Sequence, residues 1–351
     1  MPAPLRAGRE KALIGVLVAV GNIAAAHRSY GWITLPVVWQ RFRGLRFGDC
    51  RPGTLAGVTG HVTSRIEQPR WRPGRRARRS AGKSTITEEV VSMSDELLFY
   101  RDGDGGISTA RVDDQGTFTG LKDGKVNAGW THIVLTNRNL LFYHQGNGGI
   151  ATARIDDQGT FTGLKNGKVN AGWTHIVPTN GNLLFYHQGN GGISTARIDD
   201  QGTFTGLKDG KVNTGWSRIV PTNRNLLFYH QGNGGISTAR IDDQGTFTGL
   251  KDGKVNTGWT HIVPTNGNLL FYHQGNGGIS TARIDDQGTF TGLKDGKVNT
   301  GWSRIVPTNR NLLFYHQGNG GISTARIDDQ GTFTGLKNGK VNAGWTHITP
   351  A

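Results

Sequence analysis

Beyond residue 96 the apolar positions fall into short runs with a period of two, each run bounded by Gly, Asn, Asp or Pro. That is the pattern of strands and tight turns, and no stretch there offers an apolar face at helical spacing. The block 173–215, WTHIVPTNGNLLFYHQGNGGISTARIDDQGTFTGLKDGKVNTG, predicts four strands at 173–177, 183–187, 193–198 and 203–207. The connections carry turn chemistry: Pro178-Thr179-Asn180-Gly181-Asn182, Gln188-Gly189-Asn190-Gly191-Gly192, Asp199-Asp200-Gln201-Gly202 and Lys208-Asp209-Gly210-Lys211. Pro178 ends the first strand because it has no N–H for the ladder.

The same block recurs without insertion. Leu-Leu-Phe-Tyr starts at Leu97, Leu140, Leu183, Leu226, Leu269 and Leu312, and a Gly-Trp pair puts its Trp at Trp130, Trp173, Trp216, Trp259, Trp302 and Trp345. A fixed period in this range marks a solenoid, propeller or array. Four short antiparallel strands make one propeller blade, and six copies predict an all-β, six-bladed β-propeller over residues 93–351. The chain enters the first copy without a Trp strand, since 87–92 holds no Trp in that register, and leaves through Trp345-Thr346-His347-Ile348. That last strand is expected to complete the first blade and close the ring. Two β-trefoils of three repeats each are the rival architecture; the unbroken period, with no linker at its middle, favours the ring.

Composition changes the picture mainly at the N-terminus. The net charge of +15 suggests nucleic acid, but residues 1–90 hold 16 Lys and Arg against 5 Asp and Glu, and the repeats hold 24 against 20. The repeats therefore lack a basic footprint for a phosphate backbone, and no nucleic-acid partner is expected. Arg6, Arg9 and Lys11 precede an apolar run at 12–21 and then Ala24-Ala25-Ala26, the order of a signal peptide at 1–26. The run is too short to span a bilayer. A disordered arginine-rich tract is expected after it. Gly82-Lys83-Ser84 resembles the end of a P-loop, but Ala77 stands where its first glycine belongs. Met93 offers a second start directly before the first copy, which would leave 1–92 an untranslated extension. Secretion is the expectation with the signal, a cytoplasmic location without it. Cys50 is the only cysteine, so no intrachain disulfide forms.

In a four-stranded meander the second-to-third and fourth-to-first connections share one rim. Each copy then offers there the Trp that opens its first strand, the His that ends its second, and the Asn of His-Gln-Gly-Asn. The candidate carbohydrate contacts are Trp130, His144 and Asn147; Trp173, His187 and Asn190; Trp216, His230 and Asn233; Trp259, His273 and Asn276; and Trp302, His316 and Asn319. An aromatic ring covers the apolar face of a sugar while carboxamides donate to and accept from hydroxyls. The other reading of the Trp is packing between blades, and of the His a solvated strand end. Arg197 is read as pairing with a neighbouring Asp, and Asp199-Asp200-Gln201-Gly202 as a hairpin turn. Six equivalent sets leave no unique nucleophile, acid or base, so the chain is not expected to be an enzyme. No cofactor or metal is expected. Only the first copy has Arg101-Asp102-Gly103-Asp104 where the rest have His-Gln-Gly-Asn, so five copies lack the carboxylates calcium requires.

The Gly-Trp, Ile-Val-Pro, Asn-Gly-Asn-Leu-Leu-Phe-Tyr and Gly-rich turn of residues 97–351 resemble the repeat of tachylectin-type β-propeller lectins. The resemblance implies a ring that binds N-acetylated sugars at several equivalent sites, with glycans or glycoconjugates as partners. This chain departs from the family in its shorter repeat and in six copies in place of five. The expectation is a multivalent lectin with about six weak sites on one rim, linked weak sites raising avidity. A protein-interaction propeller without sugar specificity is the alternative. Later copies alternate Trp-Thr-His with Trp-Ser-Arg, which fits duplication of a pair of repeats.

Overall fold

The computed structural model describes residues 95–351, apart from Asn137 and Asn180. The expected signal peptide, the arginine-rich tract and the candidate start at Met93 lie outside the described residues. Within the described residues the chain forms twenty-four strands in six four-stranded antiparallel sheets, a six-bladed β-propeller. The third blade is typical, with strands His175–Pro178, Leu183–Tyr186, Gly192–Ile198 and Phe204–Lys211 from the axis outward. The six innermost strands neighbour one another in a closed circle.

Closure occurs as the repeat ends require. The first blade takes His347–Pro350 as its innermost strand, paired antiparallel with Glu96–Tyr100, so that Phe99 faces Ile348 and Tyr100 faces His347. Both chain ends of the ring are thereby held in one sheet, and no blade is left short of a strand.

All four residues of each Leu-Leu-Phe-Tyr strand are buried, although a strand directs alternate side chains to opposite faces. The reason is that each blade is covered on both sides. Leu183 and Phe185 pack back against Leu141 and Tyr143 of the second blade, while Leu184 and Tyr186 pack forward against Leu226 and Phe228 of the fourth. Six such interblade clusters take the place of a single core. Burying an apolar side chain of this size stabilises by roughly 1.5–3 kcal/mol, so the second strands carry much of the ring's cohesion.

Polar side chains tie neighbouring blades as well. Thr195 donates to the Gly245 carbonyl at 3.0 Å, and Asn182 donates to the Asp242 carbonyl at 3.0 Å. Arg197 spans to the Asp243 backbone carbonyl at 2.6 Å and to Asn182 Oδ1 at 3.1 Å. The neighbour's carbonyl, not the expected carboxylate, is its partner. The Asp199 carboxylate instead accepts from Gln201 N and Thr203 N, at 3.0 and 2.7 Å, closing the hairpin turn in the expected way.

Two strand boundaries differ from the sequence expectation by more than one residue. The outermost strand continues through Lys208-Asp209-Gly210-Lys211, which its composition marks as a turn. A bulge between Thr195 and Ala196 absorbs the irregularity, and Lys208 N donates to Thr195 Oγ1 at 3.2 Å, so these residues stay in the ladder. The innermost strand begins at His175 and not at Trp173, because the Trp173 amide is taken by the Tyr143 hydroxyl at 3.1 Å.

Candidate functional site

The buried tyrosine of each second strand positions the rim. Tyr186 donates to the Asn213 carbonyl at 3.1 Å and accepts from Trp216 N at 3.2 Å, and the other five tyrosines do the same in their own blades. Burial pushes the Tyr186 phenol above its ordinary pKa, so the group stays a neutral donor. The Lys-Val-Asn segment that leaves one blade and the Trp that enters the next are both fixed by this one hydroxyl.

The expected neighbours do share a rim. Val212 N donates to the Gly191 carbonyl at 2.8 Å and Gly215 N to the Gln188 carbonyl at 3.0 Å, stitching the second-to-third connection to the fourth-to-first. Gly191 has φ +74°, and a Cβ there would lie 2.1 Å from the Val212 carbonyl oxygen, so the contact requires glycine. Within this rim the three candidate residue types have different surroundings. Asn190 accepts from Gly192 N at 2.7 Å through Oδ1, capping its own turn, and Asn147, Asn233, Asn276 and Asn319 do likewise. His187 packs on Gly172 just before Trp173, and His144, His230, His273 and His316 lie on Gly129, Gly215, Gly258 and Gly301. The buried Nδ1 atoms of His144, His187, His230 and His316 have no hydrogen-bond partner. Trp173 meets Phe185 edge-on at 5.9 Å, and Trp130, Trp216, Trp259 and Trp302 repeat the contact with their own phenylalanines.

The Trp position also borders an open groove. Between the sixth and first blades lies a cavity of about 500 Å³ lined by Phe99, Phe118, Trp345, Ser108, Gly120, Lys340, Val341 and Asn342. Its floor is aromatic: Phe99 lies 5.8 Å from both Phe118 and Trp345. Arg101 sits over the Trp345 ring at 5.2 Å, a cation–π contact peculiar to this blade because the others carry His there. The polar residues lining it are Ser108, Lys340 and Asn342, whose side chains make no hydrogen bond among the described residues. The residue types recur at the other junctions; between the third and fourth blades they are Phe228, Phe247, Trp216, Ser237, Lys211 and Asn213. A Cβ on Gly120, Gly163, Gly206, Gly249, Gly292 or Gly335 would meet nothing within 4 Å, so this side of the outermost strand is open in every blade. The cavity brings in Trp345, which is not one of the five candidates; Trp130, Trp173, Trp216, Trp259 and Trp302 hold the corresponding positions of their own repeats, and the His and Asn candidates stay on their turns. The cavity's Lys and Asn come from the Lys-Val-Asn segment, whose repetition in every copy was the available signal.

A second set of residues circles the axis. His132, His175, Arg218, His261, Arg304 and His347 occupy one position of the six innermost strands. Each donates to a backbone carbonyl of the next blade: His132 Nε2 to Thr174, His175 Nε2 to Ser217, His261 Nε2 to Ser303 and His347 Nε2 to Thr131, at 2.9–3.1 Å. Arg218 reaches the Thr260 carbonyl and Arg304 the Thr346 carbonyl, each through Nε and Nη2 at 3.1 and 2.7 Å. The circle is complete. In the His blades Nε2 carries the proton that meets the carbonyl, and Nδ1 lies 3.0–3.1 Å from the preceding Thr hydroxyl, whose single proton is shared between Nδ1 and the Tyr carbonyl of the same blade. Burial holds all four imidazoles below their ordinary pKa. His261 is held down at about 4, by burial first and then by the flanking Arg218 and Arg304 charges, against its bond to the Ser303 carbonyl. In the sequence the Thr-His and Ser-Arg alternation signals duplication. The alternation is also what distinguishes the blades chemically.

Among the described residues no helix is long and apolar enough to cross a membrane, and no cluster of three or more His, Cys, Asp or Glu could hold a metal. No family model matches the sequence, and no curated protein matches it. Solved structures match the fold. Two described as "putative 6-phosphogluconolactonase" superpose with a TM-score of 0.51. The one from Bacteroides fragilis is 14% identical over 74% of this chain and 97% of its own, and the one from Bacteroides uniformis is 12% identical over 72% and 83%. A protein from Lactobacillus plantarum is 14% identical over 74% of this chain and 87% of its own, again at 0.51. At such identity the likeness shows the β-propeller fold alone. It nevertheless corrects the expectation that the chain is not an enzyme, since structures of this architecture carry enzyme names. The physical premise fails too: the six blades are not equivalent, because Arg101 and Asp104 occur only at the closing blade and Arg218 and Arg304 only in two others.

Proposed function

We propose that the protein is a multivalent carbohydrate-binding protein, a lectin, whose sites are the grooves between blades and whose preferred ligands are N-acetylated sugars. The observation that carries this reading is the cavity at the closing junction, which Phe99, Phe118 and Trp345 line together with Ser108, Lys340 and Asn342, residues whose side chains have no hydrogen-bond partner among the described residues. A pyranose has an apolar face for the aromatic rings and a rim of hydroxyls for the Asn and Lys side chains. The recurrence of these residue types at the other junctions supports several sites per chain, with Ala151 in place of Ser at one of them. The resemblance of the repeat to tachylectin-type lectins supports the N-acetylated class.

In this arrangement Trp345, Trp130, Trp173, Trp216, Trp259 and Trp302 both pack on phenylalanine and border the ligand. The His of each rim acts indirectly, by seating the Gly-Trp segment. Titration calorimetry of the full chain with N-acetylglucosamine and N-acetylgalactosamine, beside a glycan array, tests the proposal. Saturable binding at several sites per chain is expected. A folded chain that binds no glycan overturns it.

A further inference from the structure

The circle at the axis contains more positive charge than its structural task needs. In four blades a neutral imidazole makes the bond to the next blade's carbonyl; in two, a guanidinium makes the same bond. Imidazole thus suffices for the ring's integrity, and Arg218 and Arg304 add two charges that the packing does not require. Both guanidinium groups are half-buried, and their recorded partners are all backbone carbonyls: Thr260 and Ser217 for Arg218, Thr346 and Ser303 for Arg304. Three of the five N–H donors on each are used in this way, which leaves two on each without a partner. No carboxylate pairs with either one among the described residues.

The surroundings do not compensate. His261, between the two arginines in ring order, is neutral, with both ring nitrogens already bonded. His132, His175 and His347 are in the same state. The carboxylate that acts on this circle is Asp102, and it acts on His347. Burial disfavours the charge of each, and the Arg304 charge lowers the pKa of Arg218 further. Two partly desolvated cations with spare donors make a complementary site for a small anion, because a guanidinium fork matches oxyanion geometry.

We infer that the axial end of the ring binds one tetrahedral oxyanion, phosphate or sulfate, free or as the terminal group of a larger ligand, through Arg218 and Arg304. This site is separate from the interblade grooves, and its test does not depend on sugar binding. The repeats themselves supply the control. Ser217→Thr with Arg218→His, and Ser303→Thr with Arg304→His, copy the Thr-His pair of the neighbouring blades and keep the bond to the next carbonyl.

Calorimetry of the full chain with inorganic phosphate and with phenyl phosphate, at constant ionic strength and pH 7.5, is the experiment. One site per chain is expected, weakened at least about tenfold in the fourfold variant, as the loss of charge-assisted hydrogen bonds implies. Each two-residue exchange alone is expected to weaken it less, which keeps the test available if the fourfold variant fails to fold. Tighter binding of phenyl phosphate would assign the oxyanion to a larger ligand; equal binding would assign it to the free ion. Absence of saturable binding overturns the inference. So does binding that persists unchanged in the folded variants, because it would belong to the outer-strand lysines.

Discussion

Replacing Tyr229 by Phe removes one oxygen atom and leaves the buried ring in place, yet it should measurably destabilise the propeller. The hydroxyl donates to the Asn256 carbonyl at 3.1 Å and accepts from Trp259 N at 3.1 Å. The two losses differ in weight. Asn256 is exposed, so its carbonyl regains a water and its loss is small. The Trp259 amide makes a part-buried bond, and leaving such a donor unsatisfied costs about 1–3 kcal/mol. Together the change is about 2 kcal/mol, which for a domain of this size lowers Tm by roughly 4–8 °C. Urea unfolding followed by tryptophan fluorescence, with calorimetric Tm beside it, measures the effect. A Tyr229→Phe protein that melts within about 1 °C of the unaltered chain would show that the hydroxyl does not hold the rim.

Three further outcomes follow from the same geometry. Gly191→Ala places a Cβ 2.1 Å from the Val212 carbonyl at φ +74° and should cost more than about 2 kcal/mol, whereas Gly206→Ala, open on all sides, should cost under about 1 kcal/mol; equal denaturation midpoints would refute the contrast. Because the His261 pKa is lowered from 6.5 to about 4, its contribution to stability is complete above pH 6.5 and is lost as pH falls towards 4; His261→Gln, which retains an N–H for the Ser303 carbonyl, should flatten that fall in urea midpoints, and an unchanged pH profile would count against the neutral imidazole. Asn213→Ala removes an exposed carboxamide that makes no bond within the ring, so glycan stoichiometry should drop by one site with no change in Tm; unaltered stoichiometry would remove Asn213 from the proposed groove.

The architecture was readable because a blade is a local object. The period of 43, the turn residues and the missing Trp strand before Leu97 determine six sheets and their closure, and the seam between Glu96–Tyr100 and His347–Pro350 follows from counting. Local composition misled where a tertiary contact prevailed. Lys208-Asp209-Gly210-Lys211 has turn chemistry, but Thr195 Oγ1 accepts from its first amide and keeps it in a strand. The site was legible in part. Trp173 could be assigned to a rim, but the direction of its indole depends on Phe185, and Asn342 lines a cavity only because the first blade closes beside the sixth. No property of a single repeat announces the axial circle, since His175 meets its partner Ser217 only when a second blade is placed beside the first.

The seam also shapes how the chain reaches its native state. Five blades find all four strands within one stretch of sequence, but Glu96–Tyr100 must wait for His347–Pro350, about 250 residues later. During that wait its edge is open, and the innermost strands offered to it are near copies: His-Ile-Val-Pro, Arg-Ile-Val-Pro and His-Ile-Thr-Pro. The ladder therefore has little means of distinguishing its own last strand from that of a second molecule. Strand exchange between chains is the characteristic misassembly of such repeats, and at high concentration it would join propellers end to end through the bond that seals each one alone.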